Sequence, residues 1–334
     1  MTSEVIIAVV LPCFKVRRHV VDVLARIGPE VSLIYVVDDC CPEKTGEFVA
    51  ETTQDPRVKV IWNKVNLGVG GAVMAGYRAA IDAGAEVIVK IDGDGQMDPA
   101  LVPDFVAPIL AGEADYTKGN RFYDLEGVSR MPRVRLFGNS ILSFLTKFSS
   151  GYWNIFDPTN GYTAIHTEVA RMLPFEKISC RYFFETDILF RLNIQRAVVV
   201  DIPMVARYDD EESSLKISRI VGEFLRKHAR NFIKRIFYNY YLRDLSIASI
   251  ELPVGVLLLV FGVLFGVVHW VESISTGIVT PAGTVMLAAL PVLTGLQLIL
   301  AFISYDVGSV PRRVIHVLRR SVKGKATALR MKHD

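Results

Sequence analysis

Apolar runs and helical stripes alternate along the first two thirds of this chain. Val5 to Leu11 is rich in β-branched residues and predicts a buried strand. Val16 to Ile27 repeats at helical spacing. Leu33 to Val37 predicts a second strand, ending in Asp38-Asp39, and Val58 to Trp62 a third. Val73 to Ala83 reads as a helix, and the run Val87-Ile88-Val89-Lys90-Ile91 as the strand after it. Tyr116 to Arg121 and Ala197 to Ile202 add later strands. Strands alternating with helices predict an α/β fold with a mostly parallel, doubly wound sheet. No internal repeat or low-complexity tract interrupts it.

The last third has a different pattern. Between Ser213 and Ser246, Ile217, Ile220, Val221, Phe224, Leu225, Phe232, Ile233, Ile236, Phe237, Tyr240 and Tyr241 recur at helical spacing, with basic residues between them. That arrangement suits helices lying in a membrane interface, and equally an amphipathic helix packed on the preceding domain. From Leu252 to Val271, and again from Ser273 to Tyr305, there is no Asp, Glu, Lys or Arg. Each stretch is long enough to cross a bilayer as a helix, which takes roughly 20 residues. The alternative is a pair of buried core helices, against which the first run is apolar on every side. Arg226, Lys227, Arg230, Lys234, Arg235 and Arg243 precede the first stretch, and Arg312, Arg313, Arg319, Arg320 and Lys323 follow the second. The connecting loop Glu272 to Gly283 has no Lys or Arg, so the charge bias predicts two spans with both termini cytosolic. No charged-then-apolar leader precedes the first strand, which predicts no cleaved signal.

With 334 residues there is room for one large domain and an appendage. The 51% apolar content is concentrated in the two late stretches. The net charge of +3 says little, because the basic residues are clustered beside those stretches; nucleic acid is not an expected partner. Cys13, Cys40, Cys41 and Cys180 show no metal-ligand spacing, and a cytosolic placement predicts free thiols.

The chemistry concentrates at strand ends. The strand ending at Ile91 runs into Asp92-Gly93-Asp94-Gly95-Gln96-Met97-Asp98-Pro99. Ligands of open α/β sheets bind at the carboxyl ends of strands. Asp92 and Asp94 are two apart, so an extended backbone would aim both one way. Two hard oxygen ligands in a glycine-lined turn suit Mg²⁺ or Mn²⁺ carrying a diphosphate. The plainer alternative is a solvated acidic turn. The loop Asn66-Leu67-Gly68-Val69-Gly70-Gly71-Ala72 lacks the third glycine of a dinucleotide fingerprint and follows the third strand rather than the first. Close approach of its backbone to a ligand at a helix N-terminus is the better reading.

Val36-Val37-Asp38-Asp39, the Asn66–Ala72 loop and Lys90-Ile91-Asp92-Gly93-Asp94-Gly95-Gln96-Met97-Asp98-Pro99 together resemble family 2 glycosyltransferases of the GT-A fold. Within that family they resemble the branch of dolichol-phosphate mannose synthase and bacterial polyprenyl-phosphate glycosyltransferases. The resemblance covers about Val5 to Ser218. It implies that Pro12, Asp38, Asp39, Asn66, Gly70 and Asp92 line the donor nucleotide. It implies a metal held by Asp94 and Gln96, with Asp92 beside it. It places Arg121 in Gly119-Asn120-Arg121-Phe122, and Arg135, at phosphates. Asp157 in Phe156-Asp157-Pro158-Thr159-Asn160-Gly161-Tyr162 falls near the acceptor, as base or orienting group, and Glu185 at another acidic position. Arg207 and Lys216 resemble a phosphate-contacting loop. Asp94, Asp157, Arg121 and Arg135 are thus the expected catalytic set. Plainer roles stand beside these: an ion pair for Arg135, a turn for Asp157, helix bracing for Glu185 and Asp187, a structural role for His166. The chain departs from the family at Pro12-Cys13-Phe14-Lys15, at Cys40-Cys41 and at the acidic run Asp209-Asp210-Glu211-Glu212.

The resemblance implies inverting transfer of one sugar from a UDP- or GDP-linked donor to an undecaprenyl or dolichyl phosphate at the cytosolic membrane face. A hydroxyl acceptor on a glycolipid or polysaccharide is the alternative, and a non-catalytic nucleotide-sugar-binding scaffold a more remote one. The expected organisation is a GT-A domain over residues 1–212, interfacial helices over 213–250, a two-helix hairpin over 251–306 and a basic tail over 307–334. A plasma membrane location, if bacterial, and a homo-oligomer are further expectations. Gly262 and Gly266 permit close helix contact, within the chain or between chains.

Overall fold

The computed structural model describes residues 5–123, 133–205 and 217–330. Seven strands form one sheet in the order β3-β2-β1-β4-β6-β5-β7. These are β1 Ile7–Cys13, β2 Leu33–Asp38, β3 Val58–Trp62, β4 Val87–Lys90, β5 Tyr116–Asn120, β6 Thr163–His166 and β7 Val199–Pro203. Neighbours pair in parallel except at β6, which runs antiparallel to β4 and β5. Strands β1 and β4 are buried along their whole length, the pattern of strands covered on both faces. Strand β3 alternates partial burial with exposure, as an edge strand does.

The helices of six or more residues described in this body are α1 Val20–Ala25, α2 Thr45–Thr52, α3 Val69–Asp82, α4 Val102–Leu110, α5 Arg133–Ser150 and α6 Phe184–Gln195. They are followed by α7 Ile217–Phe237, α8 Ala248–Thr276, α9 Ala282–Gly308 and α10 Ile315–Arg330. Helix α1 is shorter than its periodicity suggests, because Lys15 adopts φ +61° and residues 16–20 first close a turn on the Val16 carbonyl. Helix α3 starts four residues earlier than expected, directly after Gly68. Residues Val9, Leu11, Val36, Val89, Phe105 and Tyr162 belong to one core, in which the Phe105 and Tyr162 rings stack at 3.9 Å.

The chain divides into two compact units, Met1–Phe232 with Pro311–Asp334, and Ile233–Val310. In the first unit, α7 packs by its buried side: His228 Nδ1 lies 2.8 Å from Ser149 Oγ, and Asn231 Nδ2 donates to Asp187 Oδ1 at 3.0 Å. Val221 and Leu225 of the same helix remain exposed. The C-terminal segment, expected as a basic tail, docks in this unit too. The backbone N–H groups of Ile315 and His316 donate to the Asp115 carboxylate, His316 Nδ1 meets Asp115 Oδ1 at 2.8 Å, and the His316 ring stacks on His166 at 4.0 Å. Asp115 therefore caps α10. Asp115 and His166 lie at the sheet edge where β5 begins and β6 ends, opposite the edge that carries Asp92.

The second unit is a helical hairpin. Helices α8 and α9 have 29 and 27 residues and are long and apolar enough to cross a membrane, with only 11% of their most apolar windows buried. They approach through glycines: a Cβ at Gly262 would stand 2.7 Å from the Ala288 carbonyl oxygen, and one at Gly295 would stand 2.7 Å from that of Gly255. Gly262 and Gly266 thus serve contact within the chain, with Gly266 facing Ala288. Arg235, almost fully buried, pairs with Asp306 at 2.6 Å, and Tyr240 donates to the same carboxylate.

Candidate active site

The parallel strands bring their carboxyl ends to one edge. Cys13 stands beside Asp38, and Asp38 beside Trp62. Strand β4 ends at Lys90 with the acidic turn just beyond it. Asp92 and Asp94 do not share an extended strand as the spacing suggested. Residues 93–95 turn, Gly95 takes φ +82°, and Asp94 Oδ1 accepts the Gln96 N–H at 3.0 Å. The turn chemistry of Gly and Asp overrides the two-residue alternation. Gly93 lies over the end of β1, where a Cβ would meet Val16 and Cys13 Sγ at 3.1 and 3.2 Å. Cys13 is buried beneath the turn, and burial pushes its thiol well up. This departure from the family pattern is therefore a packing residue. All four cysteines are free thiols.

Asp38 and Asp39 are both buried with their carboxylates engaged inside the protein. Asp38 accepts the Cys41 N–H at 2.7 Å and the Gly46 N–H at 2.6 Å, pinning the turn into α2. Asp39 accepts from Leu67 N, Gly68 N and Asn63 Nδ2 at 2.7–2.9 Å. It thereby ties β2 to the glycine loop, and Asn66 Nδ2 donates to its carbonyl. The glycine loop itself is occupied by the chain. The Gly70 N–H donates to the Cys180 carbonyl at 2.8 Å, and a Cβ there would stand 2.5 Å from the Ser179 carbonyl oxygen. The close backbone approach foreseen for a ligand is made by residues 179–181. A sequence pattern reports that glycines are needed and not what approaches them.

The turn after Phe156 forms the other side. Asp157 is 1% exposed, and Arg121 grips it with Nε at 2.7 Å and Nη2 at 2.9 Å. Burial pushes the Asp157 carboxyl up, but the Arg121 hydrogen bonds and charge outweigh it and hold the group below the usual carboxylate range. Such a carboxylate is a weak base and a good anchor. Arg135 lies in the first turn of α5, with its side chain outside the described residues, as are Arg207 and Lys216.

Sequence reasoning missed a buried charge network under this edge. Lys90 Nζ is 2.7 Å from Asp92 Oδ1 and 3.6 Å from Glu185 Oε1. Burial alone would depress Lys90, and the two carboxylates reverse that. Lys118, fully buried, donates to the Asn160 carbonyl, and burial pushes it down to about 8. Asp201 takes Asn120 Nδ2 at 2.6 Å on Oδ2, and burial pushes its carboxyl up to about 6. A lysine inside an apolar strand run was the available signal for the first of these. Asp187 braces α6 and α7, accepting from Ser179 N, Arg191 and Asn231, whereas Glu185 faces Lys90. His166 is structural: its Nδ1 accepts the Glu168 N–H.

Among the described residues no three His, Cys, Asp or Glu side chains converge as a ready-made metal cage. The partly exposed Asp92 and Asp94 still fit a hard cation that takes one or two carboxylates and completes its shell with phosphate oxygens and water.

Comparison with known proteins agrees with this architecture. Residues 9–173 match the family described as Glycosyl transferase family 2. The chain is 27% identical over 218 residues to the undecaprenyl-phosphate mannosyltransferase of Micrococcus luteus, covering 64% of this chain and 88% of that protein. It is 22% identical over 234 residues to the UDP-N-acetylglucosamine–dolichyl-phosphate N-acetylglucosaminyltransferase of Methanococcus voltae, covering 66% and 93%. Its fold resembles glucosyl-3-phosphoglycerate synthase of Mycobacterium tuberculosis, solved with Mn²⁺, UDP-glucose and phosphoglyceric acid. That likeness has a TM-score of 0.51 at 20% identity and covers 69% of this chain and 79% of that one. The match over residues 9–173 identifies the chain as a glycosyltransferase that carries a glycosyl transferase family 2 domain there.

Proposed function

We propose that the protein transfers one sugar from a nucleotide-sugar to a polyprenyl phosphate at a membrane surface, with inversion. The observation that carries this reading is the state of Asp157. Its carboxylate is buried, gripped by two Arg121 nitrogens and held below the usual range. A hydroxyl acceptor needs a base in the transition state, and a carboxylate so held is poorly suited to that task. A phosphate acceptor needs none, because its second ionisation lies near 6 and it arrives as an anion. The names of the Micrococcus luteus and Methanococcus voltae relatives support the same acceptor class. The two long apolar helices support a membrane setting, and their flanking Arg and Lys residues favour cytosolic termini.

On this reading the acidic turn faces the donor. Asp94 and Gln96, with Asp92 beside them, would hold Mg²⁺ or Mn²⁺, which when bound neutralises charge on the departing diphosphate. Asp157 keeps the Arg121 guanidinium in place, and the Arg121 side chain, 19% exposed, is the proposed contact for an approaching phosphate. Arg135, Arg207 and Lys216, whose side chains lie outside the described residues, are further basic residues proposed to meet phosphate. Asp38, Asp39, Asn66 and Gly70 shape the donor side from within, through the bonds that tie β2 to the glycine loop.

Membranes holding the protein are incubated with labelled UDP- and GDP-sugars, polyprenyl phosphate and Mg²⁺ or Mn²⁺. The expected product is a labelled lipid that forms only when polyprenyl phosphate is added. Asp94→Ala is expected to abolish labelling while the protein still inserts. Labelling of a hydroxyl-bearing glycolipid with no polyprenyl phosphate present would overturn the acceptor assignment.

A further inference from the structure

Lys90 is a residue that strand packing does not want. It ends β4, a central strand between β1 and β6, and its side chain is 1% exposed. An ammonium there loses its hydration, and a buried ion pair seldom stabilises a fold more than apolar side chains of the same volume would. The space around it is shaped for the pair. A Cβ at Gly161 would stand 2.3 Å from Lys90 Nζ and 2.4 Å from Asp92 Oδ2, so no side chain fits at 161 while both groups are in place. Asp92 Oδ1 lies 2.7 Å from the ammonium, and Glu185 stands behind it at 3.6 Å. Asp92 itself is partly open to solvent, with a side-chain exposure of 27%.

We infer that Lys90 is a positioning residue for donor binding: its ammonium, backed by Glu185, holds the Asp92 carboxylate in one orientation toward the nucleotide. This rests on the nucleotide-sugar reading above. The physical effect is twofold. An aspartate two residues from another would otherwise swing freely in a turn, and the ammonium fixes it before ligand arrives. The ammonium also cancels one negative charge, so the turn does not repel a diphosphate with two carboxylates at full strength. Its own burial keeps that charge poorly screened.

The test is calorimetric titration of the full chain in detergent with UDP and with GDP, each in the presence of Mn²⁺, alongside donor kinetics. Lys90→Met is expected to weaken nucleotide binding and raise donor KM by about tenfold, with kcat within about threefold. Asp92→Asn should weaken nucleotide binding by a similar factor. Because Lys90 acts through Asp92, adding Lys90→Met to Asp92→Asn should cost less than about twofold more. Wild-type nucleotide affinity in Lys90→Met, or losses that multiply to about a hundredfold in the double variant, would overturn the inference. If Lys90→Met alone does not fold, the double variant, with both partners neutral, is compared with Asp92→Asn, and Glu185→Gln should weaken binding by about threefold. Wild-type affinity in Glu185→Gln then counts against the inference. A wild-type chain that binds and transfers, with Lys90→Met unaffected, sinks the inference alone, whereas one that binds neither nucleotide sinks the nucleotide-sugar reading as well.

Discussion

Replacing Arg121 by methionine isolates the electrostatics of the Asp157 turn. In the wild type Asp157 is 1% exposed and accepts from Arg121 Nε, Nη2 and backbone N–H at 2.7, 2.9 and 3.2 Å. Methionine keeps the apolar stem of the side chain and removes the charged guanidinium, leaving a buried carboxylate without its main partner. Breaking a buried pair costs about 3–5 kcal/mol. Arg121 is 19% exposed, so water can reach part of the gap, and about 3 kcal/mol is the better figure. For a body of this size that is a fall of about 6–12 °C in melting temperature. The pH dependence carries the sharper test. With Arg121 present the folded pKa of Asp157 lies below its unfolded value, so its stabilisation is present above the unfolded pKa and is lost as pH falls through the folded one. Without Arg121, burial acts with less opposition, the folded pKa rises, and the sign reverses. The deficit of Arg121→Met relative to wild type should therefore be largest near neutrality and shrink in acid. Adding Asp157→Asn should recover most of it. Thermal melts of the full chain in detergent, followed by tryptophan fluorescence at both pH values, measure this. A deficit that grows in acid, or a double variant no more stable than Arg121→Met, would refute the reasoning.

Other consequences are as direct. Gly68→Ala places a Cβ 2.6 Å from the Cys180 carbonyl oxygen at φ +83°, whereas Gly84→Ala, at φ +79°, meets nothing within 4 Å. Melts should show the second costing about 1–2 kcal/mol for backbone strain and the first clearly more, and equal costs would rule out the packing role assigned to residues 179–181. Asp201 is pushed up to about 6 by burial, so the native state holds that proton more tightly than the unfolded chain. Its contribution is full below the unfolded pKa and lost as pH rises through about 6; Asp201→Asn should gain about 1–2 kcal/mol above pH 7 and nothing near pH 4, as melts across that range will tell. Gly262→Val meets the Ala288 carbonyl oxygen at 2.7 Å, while Gly283→Val meets nothing within 4 Å, so only the first should lower the melting temperature of the hairpin in detergent.

Strand β6, four residues long and antiparallel to both neighbours, is one its pattern did not predict, whereas the other six of the seven strands, the acidic turn after β4 and the two apolar helices were readable in the chain. Local chemistry decides them. Apolar period and β-branched runs set strands, Asp-Gly sets turns, and an uncharged stretch longer than a bilayer core sets a span wherever it sits. Only the tertiary structure decided what each polar group faces. The glycines of the Asn66–Ala72 loop signalled close approach, but Cys180, more than a hundred residues on, supplies the approaching carbonyl. Lys90 reads as an interruption of a strand until α6 brings Glu185 behind it. Arg121 and Asp157 each suggested a phosphate or acceptor contact, and they turn out to hold one another. His316, past both long helices, returns to cap onto Asp115 at the start of β5. The reason is common to all four. Secondary structure follows from neighbours in sequence, whereas the partner of a buried charge or carbonyl is fixed by desolvation, and desolvation depends on which distant segments pack over it.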